Sequence, residues 1–340
     1  MTSPTSRELK DRLGALGMSP TVVDAVWPAW WSEEAESSPS ARAELRFGVS
    51  RRLGIDPRSL LGADEEPRFL WGGREAKFKN LSGASEVERT GLTSFGRAVA
   101  SILLQATPPA SRGIVGTAAR ALRDAVLSTD REFVDLRSLL TVCWGVGIPV
   151  VYLRVFPWSA KRMAAMTVRV GDRSAILLGR DFEYPAPVAF HLAHEMGHIG
   201  LDHLSPGEAI VNLDPPDRAL EPADEEEEAA DRFALELLTG RPDLEVTEAE
   251  DSAAASPGGL ARVVQQEGPR LRIEPGTLAL CFGYSTQKWE AAFGALKTIY
   301  SSPAPAWQAV NGVAGTQLEL DSISQDASRF LTTVLGQHAE

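Results

Sequence analysis

The sequence predicts an α+β protein that is mostly helical, with a short sheet and two helices at its centre and helical regions on both sides. Hydrophobic residues make up 44% and charged residues 24% of the 340 residues, a globular composition. Apolar residues recur at helical spacing, as Leu45, Val49 and Leu53 do. Residues 148–179 differ, because they carry β-branched runs and a Gly-Asp-Arg turn that are typical of strands.

The first region, residues 1–130, is predicted to be mainly helical. Polar capping residues and prolines mark its helix ends, and a Pro-Pro pair separates its last two helices. We expect helices at about 5–17, 20–31, 39–54, 84–106 and 110–128, and short strands at about 68–71 and 76–79. Two roles stay open for this region, a partner-binding unit or a weak helix-turn-helix module.

The second region, residues 131–245, is predicted to hold the sheet. Asp135 can cap its first helix, and the Gly171-Asp172-Arg173 turn indicates a hairpin. We expect a helix from 135 to about 144, a strand at 148–155, hairpin strands at 163–170 and 174–179, a helix at 185–204, a polar link at 205–222 and a helix at 223–239. The third region, residues 246–340, is predicted to be helical.

The net charge of −12 is confined to one segment. Between Asp202 and Asp251 there are 17 acidic residues and 3 arginines, so the rest of the chain is almost neutral. A protein that binds duplex nucleic acid needs a concentrated basic surface. Charge therefore gives direct nucleic-acid binding no support.

The sequence has the features of a cytoplasmic protein without membrane contact. Its apolar runs are far shorter than the roughly 20 residues of a membrane span. The first residues are polar and lack the apolar segment of a secretory signal. Cys143 and Cys281 have no CxxC spacing, so we expect two buried, reduced thiols.

The segment His194-Glu195-Met196-Gly197-His198 predicts a metal centre. Histidines four residues apart on a helix differ by about 40° around its axis, so both imidazoles can reach one cation. Glu195 lies next to the first histidine and can accept a proton from water without binding the metal. Zn²⁺ is the expected ion, because it acidifies water and polarises a carbonyl group without redox chemistry.

A third ligand is expected from the acidic helix at 223–239. Its apolar residues place Glu226 and Glu227 on the inward side, and only Glu227 has an aspartate, Asp231, one turn later on the same face. A carboxylate at that distance can orient a ligand histidine. Glu227 is therefore the predicted ligand, Asp231 its supporting residue and Glu226 the alternative. His203 falls one residue short of the HExxHxxGxxH spacing, so it is not the predicted ligand.

Three further side chains are candidates for contacts with a substrate or an oxyanion. His191 precedes His194 by three residues and lies on nearly the same helical face. Tyr152 and Tyr184 can each donate a hydrogen bond to an oxyanion. A packing role is the alternative for His191, and the sequence does not choose between the tyrosines.

These motifs resemble those of the ImmA/IrrE family of metallopeptidases. The likeness runs through the segment VGIPVVYL at 146–153, a hairpin ending in AILLG, AFHLAHEMGHIGLDH at 189–203 and EEAADRFALELL at 227–238. It covers about a third of the chain. The chain departs from it at 237–240, where LLTG stands in place of LLMP.

The resemblance implies a zincin-like peptidase core and a zinc-dependent endopeptidase. Its substrate would be a helix-turn-helix repressor or an antitoxin, cleaved in a response to stress or to mobile elements. The alternative is a regulatory or toxin–antitoxin interaction protein that keeps this fold with little or no proteolysis.

Overall fold

A computed structural model describes residues 5–62, 66–72, 76–79, 85–158, 163–213, 224–244, 256–301 and 305–337. Within these ranges the chain is mostly helical with one small sheet, which confirms the α+β prediction. The helices before the sheet's second strand are α1 (Ser6–Ala15), α2 (Pro20–Val26), α3 (Glu33–Ser37), α4 (Pro39–Leu53), α5 (Pro57–Leu61), α6 (Glu86–Gln105), α7 (Ala119–Leu127) and α8 (Leu136–Gly145). Those after it are α9 (Pro185–Gly200), α10 (Glu225–Thr239), α11 (Pro257–Leu271), α12 (Pro275–Thr286), α13 (Trp289–Ile299), α14 (Ala306–Gln317) and α15 (Gln325–Val334).

The sheet is mixed and has the strand order β1-β5-β3-β4-β2. Strand β3 is central and antiparallel to both of its neighbours, while the outer pairs β1–β5 and β2–β4 are parallel. The strands are β1 (Ala76–Lys79), β2 (Val150–Tyr152), β3 (Met163–Val170), β4 (Arg173–Leu178) and β5 (Ala209–Leu213). The predicted hairpin is confirmed, since Gly171 has a φ of 63° and closes a two-residue turn between Val170 and Arg173.

Helices cover both faces of the sheet. Helix α6 packs on one face, where a side chain at Gly96 would collide with Met166. Buried side chains of α8, α9 and α10 pack against the other face of the sheet and form a second hydrophobic core with it. The buried side chains of α11, α12 and α13 form a third cluster around Tyr184. Helix α9 is thus enclosed between the sheet and other helices, which explains why its residues are almost all buried.

All three predicted regions contribute to the sheet and its cover. Strand β1 and helix α6 come from residues 1–130, and α14, from residues 246–340, packs against β2. The borders at 130 and 245 stay a prediction. No helix within the described ranges is long and apolar enough to cross a membrane. Cys143 and Cys281 are buried free thiols, as expected, and burial raises the pKa of each to about 12.

Several predicted elements differ from the structure. The helix predicted at 20–31 ends at Val26, and the strand predicted at 148–155 is shortened to Val150–Tyr152. Strand β5 lies inside the predicted polar link, because its five residues pair with β1 and β3 through contacts that are distant in sequence. The helix predicted at 110–128 begins only at Ala119. The helix predicted at 185–204 ends at Gly200, just before the left-handed Asp202. The strand predicted at 68–71 is reduced to one isolated bridge between Phe69 and Ile55.

The buried side chain of Asn311 links α14 to the edge of the sheet by hydrogen bonds. Asn311 Oδ1 accepts a hydrogen bond of 2.7 Å from the Tyr152 backbone N–H. Asn311 Nδ2 donates to the backbone oxygens of Tyr152, at 2.9 Å, and of Leu335, at 2.8 Å. Asn311 therefore satisfies backbone groups of β2 on the side where no other strand of the described residues pairs with it.

Asn311→Ala is predicted to lower the free energy of unfolding by roughly 2–4 kcal/mol, because it leaves three buried backbone groups without their partner. Urea unfolding measures the change. Gln308→Ala, at an exposed position of the same helix, is the control and should change the stability little. Equal effects of the two substitutions would contradict this role of Asn311.

Candidate metal centre

Helix α9 places two histidines beside each other in the interior. His194 and His198 stand one turn apart, and their Nε2 atoms are 3.0 Å from each other. His198 is fully buried and His194 is 7% exposed. The helix begins with Pro185, whose fixed φ suits a first helical turn, and it ends where Asp202 adopts a φ of 58°.

Helix α10 supplies a carboxylate to the same point. Glu227 Oε1 lies 3.2 Å from His198 Nε2, and Glu227 Oε2 lies 3.4 Å from His194 Nε2. Ligand atoms of these three residues all lie within 4.8 Å of one another, so the group could hold a metal ion. The structure brings together the three side chains that the sequence analysis selected as ligands.

Small residues let the two helices approach closely enough for this contact. A Cβ atom at Gly197 would lie 3.1 Å from the backbone of Ala230 and 3.2 Å from Phe233. Asp224 caps α10 by accepting a hydrogen bond from the backbone N–H of Glu226, which fixes where the helix begins. The glycine within the histidine motif therefore allows a glutamate of another helix to reach the histidines.

Asp231 orients the first histidine. Its Oδ1 lies 2.9 Å from Nδ1 of His194. A carboxylate at this distance favours a proton on Nδ1, so Nε2, which faces Glu227 and His198, is the nitrogen that would bind an ion. The predicted supporting residue is thus in the position expected of it.

His203 contacts His198 on the side of the imidazole ring that faces away from Glu227. Its Nδ1 is 3.0 Å from Nδ1 of His198, on the side of the ring opposite to the ligand atoms. The chain reaches this position because the left-handed Asp202 turns it back, and the His203 N–H donates to the His198 carbonyl. His203 is outside the group that could hold the ion, and it orients a ligand instead. The sequence analysis missed this supporting role, because the short spacing from His198 was tested only for a ligand.

The charges of the group favour a cation at its centre. Burial alone lowers the pKa of His194, but hydrogen bonds to Asp231 and Glu227 outweigh it and raise the pKa to about 10. Burial alone raises the pKa of Glu227, and hydrogen bonds from His194 and His198 reverse this and lower it well below its usual range. A metal ion would take the place of the proton on His194, since ligand imidazoles are neutral.

Glu195 is buried beside this group and bonded to the sheet. It is 1% exposed. Its Oε2 accepts a hydrogen bond of 2.5 Å from Thr167 Oγ1 of β3, and its Oε1 accepts one of 2.6 Å from Asn212 Nδ2 of β5. Glu195 is not a member of the described ligand group. Thr167 and Asn212 were not predicted, although Asn212 is the one polar residue of β5 and Thr167 the one polar residue of the buried part of β3, residues 163–168.

Glu226, the alternative ligand, faces a lysine. Its Oε1 lies 2.7 Å from Lys77 Nζ, which also donates to the His203 carbonyl at 2.9 Å. Both side chains of the ion pair are about one-third exposed. Glu226 is therefore a partner of strand β1, and the described ligand group contains Glu227 in its place.

The remaining candidates lie in apolar surroundings. His191 is partly buried and stacks on Phe182, with ring centroids 5.0 Å apart. Tyr152 is buried in the second core, and its burial raises the pKa of the phenol. Tyr184 stacks on Tyr300 in the cluster of the C-terminal helices. Contacts of these residues with a substrate stay predictions.

The donor set is suited to a divalent transition metal. The Nε2 atoms of both imidazoles and the two oxygens of the Glu227 carboxylate converge without any apolar group between them. Such acceptors repel one another unless a proton or a cation lies among them. Imidazole and carboxylate ligands together suit zinc and its neighbours in the transition series.

Comparisons with known proteins do not identify the chain. No protein-family model, no curated protein and no solved structure matches it.

Glu227→Gln is predicted to weaken zinc binding by at least the 10–100-fold that loss of a supporting residue causes, because it removes the negative ligand. Competition with a chromophoric chelator measures the affinity. Glu228→Gln is the matched control, since Glu228 is the exposed neighbour on the same helix. Similar affinities of the two variants would exclude Glu227 as a ligand.

Asp231→Asn is predicted to lower the zinc affinity by roughly 10–100-fold, because an amide holds the His194 ring less firmly than a carboxylate does. The same chelator competition applies. Asp243→Asn, in the exposed stretch after α10, serves as the control. The role of Asp231 fails if both substitutions leave the affinity at the level of the unchanged protein.

Proposed function

We propose that this chain is a zinc-dependent endopeptidase. The observation that carries the proposal is the convergence of His194, His198 and Glu227, with Glu195 beside them and outside the ligand group. Catalytic zinc sites use three protein ligands and leave a further position for water or substrate. Structural zinc sites use four protein ligands, and the described residues offer a group of three.

The ion would be held by both imidazole Nε2 atoms and the Glu227 carboxylate. Bound there, zinc supplies a Lewis acid that polarises a peptide carbonyl and acidifies water to a pKa of about 7. Asp231 and His203 support this by holding the imidazoles from their Nδ1 sides. Both ligand histidines thus keep their lone pairs directed at the same point.

Glu195 is the proposed general base. It accepts the proton of the attacking water and then delivers it to the amine of the departing peptide. Its position next to His194 supports this role, and both of its oxygens are fixed by hydrogen bonds. Water attacks directly, so no covalent link between enzyme and substrate forms.

The proposed substrate is a helix-turn-helix repressor or an antitoxin, cleaved in a stress or mobile-element response. The support is the likeness of the two motifs to the ImmA/IrrE family, together with the meeting of their side chains in one group. A zincin-like core and a cytoplasmic location belong to the same proposal, since the proposed substrate is a transcriptional repressor or an antitoxin.

A second candidate is a regulatory or toxin–antitoxin interaction protein with little or no proteolysis. The observation that favours it is the burial of Glu195, because a carboxylate with two donors in the sheet can also serve as an anchor of α9. In that case Glu195 would stabilise the fold and take no part in proton transfer.

Glu195→Gln distinguishes the two candidates. For a general base we expect peptide cleavage to fall by roughly 10²–10⁴-fold, while zinc affinity stays within a few-fold, because the ligands are unchanged. Cleavage is measured on a library of quenched fluorescent peptides with the zinc-loaded full chain. Glu228→Gln is the control.

The cellular experiment compares the same two variants. The Glu195→Gln form should lose the release of repression, and it should copurify with an uncleaved repressor or antitoxin. A cellular response that survives Glu195→Gln unchanged would sink the proposal of proteolysis and favour the interaction protein.

A further inference from the structure

Two polar side chains interrupt an apolar face of the sheet. Thr167 is fully buried and pairs with Ile176 and Ile210 on its two sides. Asn212 projects from β5 two residues beyond Ile210, on the same side of the sheet, because side chains alternate along a strand. The neighbouring buried residues on this face, Ala165, Ile176 and Leu178, are apolar.

Both polar groups are directed at one carboxylate. Thr167 Oγ1 donates to one Glu195 oxygen and Asn212 Nδ2 donates to the other, at 2.5 and 2.6 Å. The side-chain oxygen of the asparagine makes no such bond, since Asn212 Oδ1 is buried and has no hydrogen-bond partner among the described residues. Burying this oxygen without a partner costs free energy, which an apolar side chain at position 212 would avoid. The hydrogen bond from Asn212 Nδ2 to Glu195 is therefore the reason we see for an asparagine here.

Glu195 is itself of a residue type that could bind the ion. Glu195 follows His194 directly in the chain, and a carboxylate is a good ligand for the same ions. With both oxygens bonded to β3 and β5, Glu195 is outside the described group of three ligands. A fourth protein ligand would close the site, as it does in structural zinc centres.

We propose that Thr167 and Asn212 are positioning residues that hold the Glu195 carboxylate against the sheet, so that it faces the metal centre as a base and does not bind the ion. The inference rests on the proposed function. It assigns to the sheet a task beyond packing, because neutral donors from two adjacent strands fix both oxygens of one carboxylate.

The test uses a probe that requires an open metal position and a correctly placed base. Acetohydroxamate chelates zinc through two oxygens, and a neighbouring carboxylate stabilises it by accepting a hydrogen bond. Its affinity for the zinc-loaded full chain is measured by calorimetry, and zinc affinity is measured separately. The variants are Thr167→Val, which keeps the shape and removes the donor, and Thr167→Val combined with Asn212→Leu.

We expect Thr167→Val to weaken acetohydroxamate binding by roughly tenfold, and the double variant by more, with zinc affinity within about threefold of the unchanged chain or higher. Thr167→Ser retains the hydroxyl group and should restore probe binding. Thr93→Val is the matched control. Its buried hydroxyl donates to the Arg89 carbonyl within α6, so its loss should lower stability without changing probe affinity.

Two results would overturn the inference. One is an unchanged probe affinity in Thr167→Val, accompanied by a loss of stability equal to that of Thr93→Val, because the hydroxyl would then be only structural. The other is a wild-type chain that binds zinc but not acetohydroxamate. If the double variant does not fold, Thr167→Val alone decides.

The results that would contradict the proposed peptidase differ from those that would contradict the positioning role. If the zinc-loaded chain cleaves no peptide, yet Thr167→Val weakens probe binding as expected and Thr167→Ser restores it, then the positioning role stands without the peptidase. If peptides are cleaved and the probe binds all variants alike, the peptidase stands without the positioning role.

Discussion

The close packing of α10 against α9 is the contact on which the candidate metal centre depends. His194 and His198 are fixed by their own helix, but Glu227 reaches them only because Gly197 and Ala230 let the two backbones approach. A Cβ atom at Gly197 would lie 3.1 Å from the backbone of Ala230, so α10 would have to shift outward by a few tenths of an ångström. A ligand set tolerates shifts of only a few tenths of an ångström, so this one contact couples helix packing to metal binding.

Helix α9 is enclosed between the sheet and other helices, so burying each polar group of the metal centre costs free energy. A buried imidazole or carboxylate without a partner destabilises the fold. Here His194 faces Asp231, His198 faces His203, and Glu195 faces two donors of the sheet. The supporting residues thus have two effects that cannot be separated in the folded chain. They satisfy buried polar atoms, and they direct the Nε2 atoms of the histidines toward one point.

The sequence predicts the parts of this site that depend on one helix at a time. Helical spacing pairs His194 with His198. The phase of the acidic helix places Glu226 and Glu227 on its inward side, and the aspartate one turn after Glu227 favours Glu227. Thr167 and Asn212 could not be found in this way, because their roles depend on the pairing of β5 with β3, which joins residues far apart in sequence. The role of His203 depends on the positive φ of Asp202, which the sequence does not specify.

Glu227 remains an anion inside the fold although it belongs to an acidic segment, because His194 and His198 hold its pKa well below the usual range. Four glutamates open α10, and an acidic run of this kind is usually a solvated helix face. The helix N-terminus stabilises negative charge in its first turn. Glu226 forms an ion pair with Lys77, Glu228 is exposed to solvent, and Glu227 faces the two imidazoles. The segment that carries the net charge of the chain therefore also supplies Glu227, the negative charge that a metal ion would meet. Strand β1 contributes Lys77, which neutralises the neighbouring Glu226.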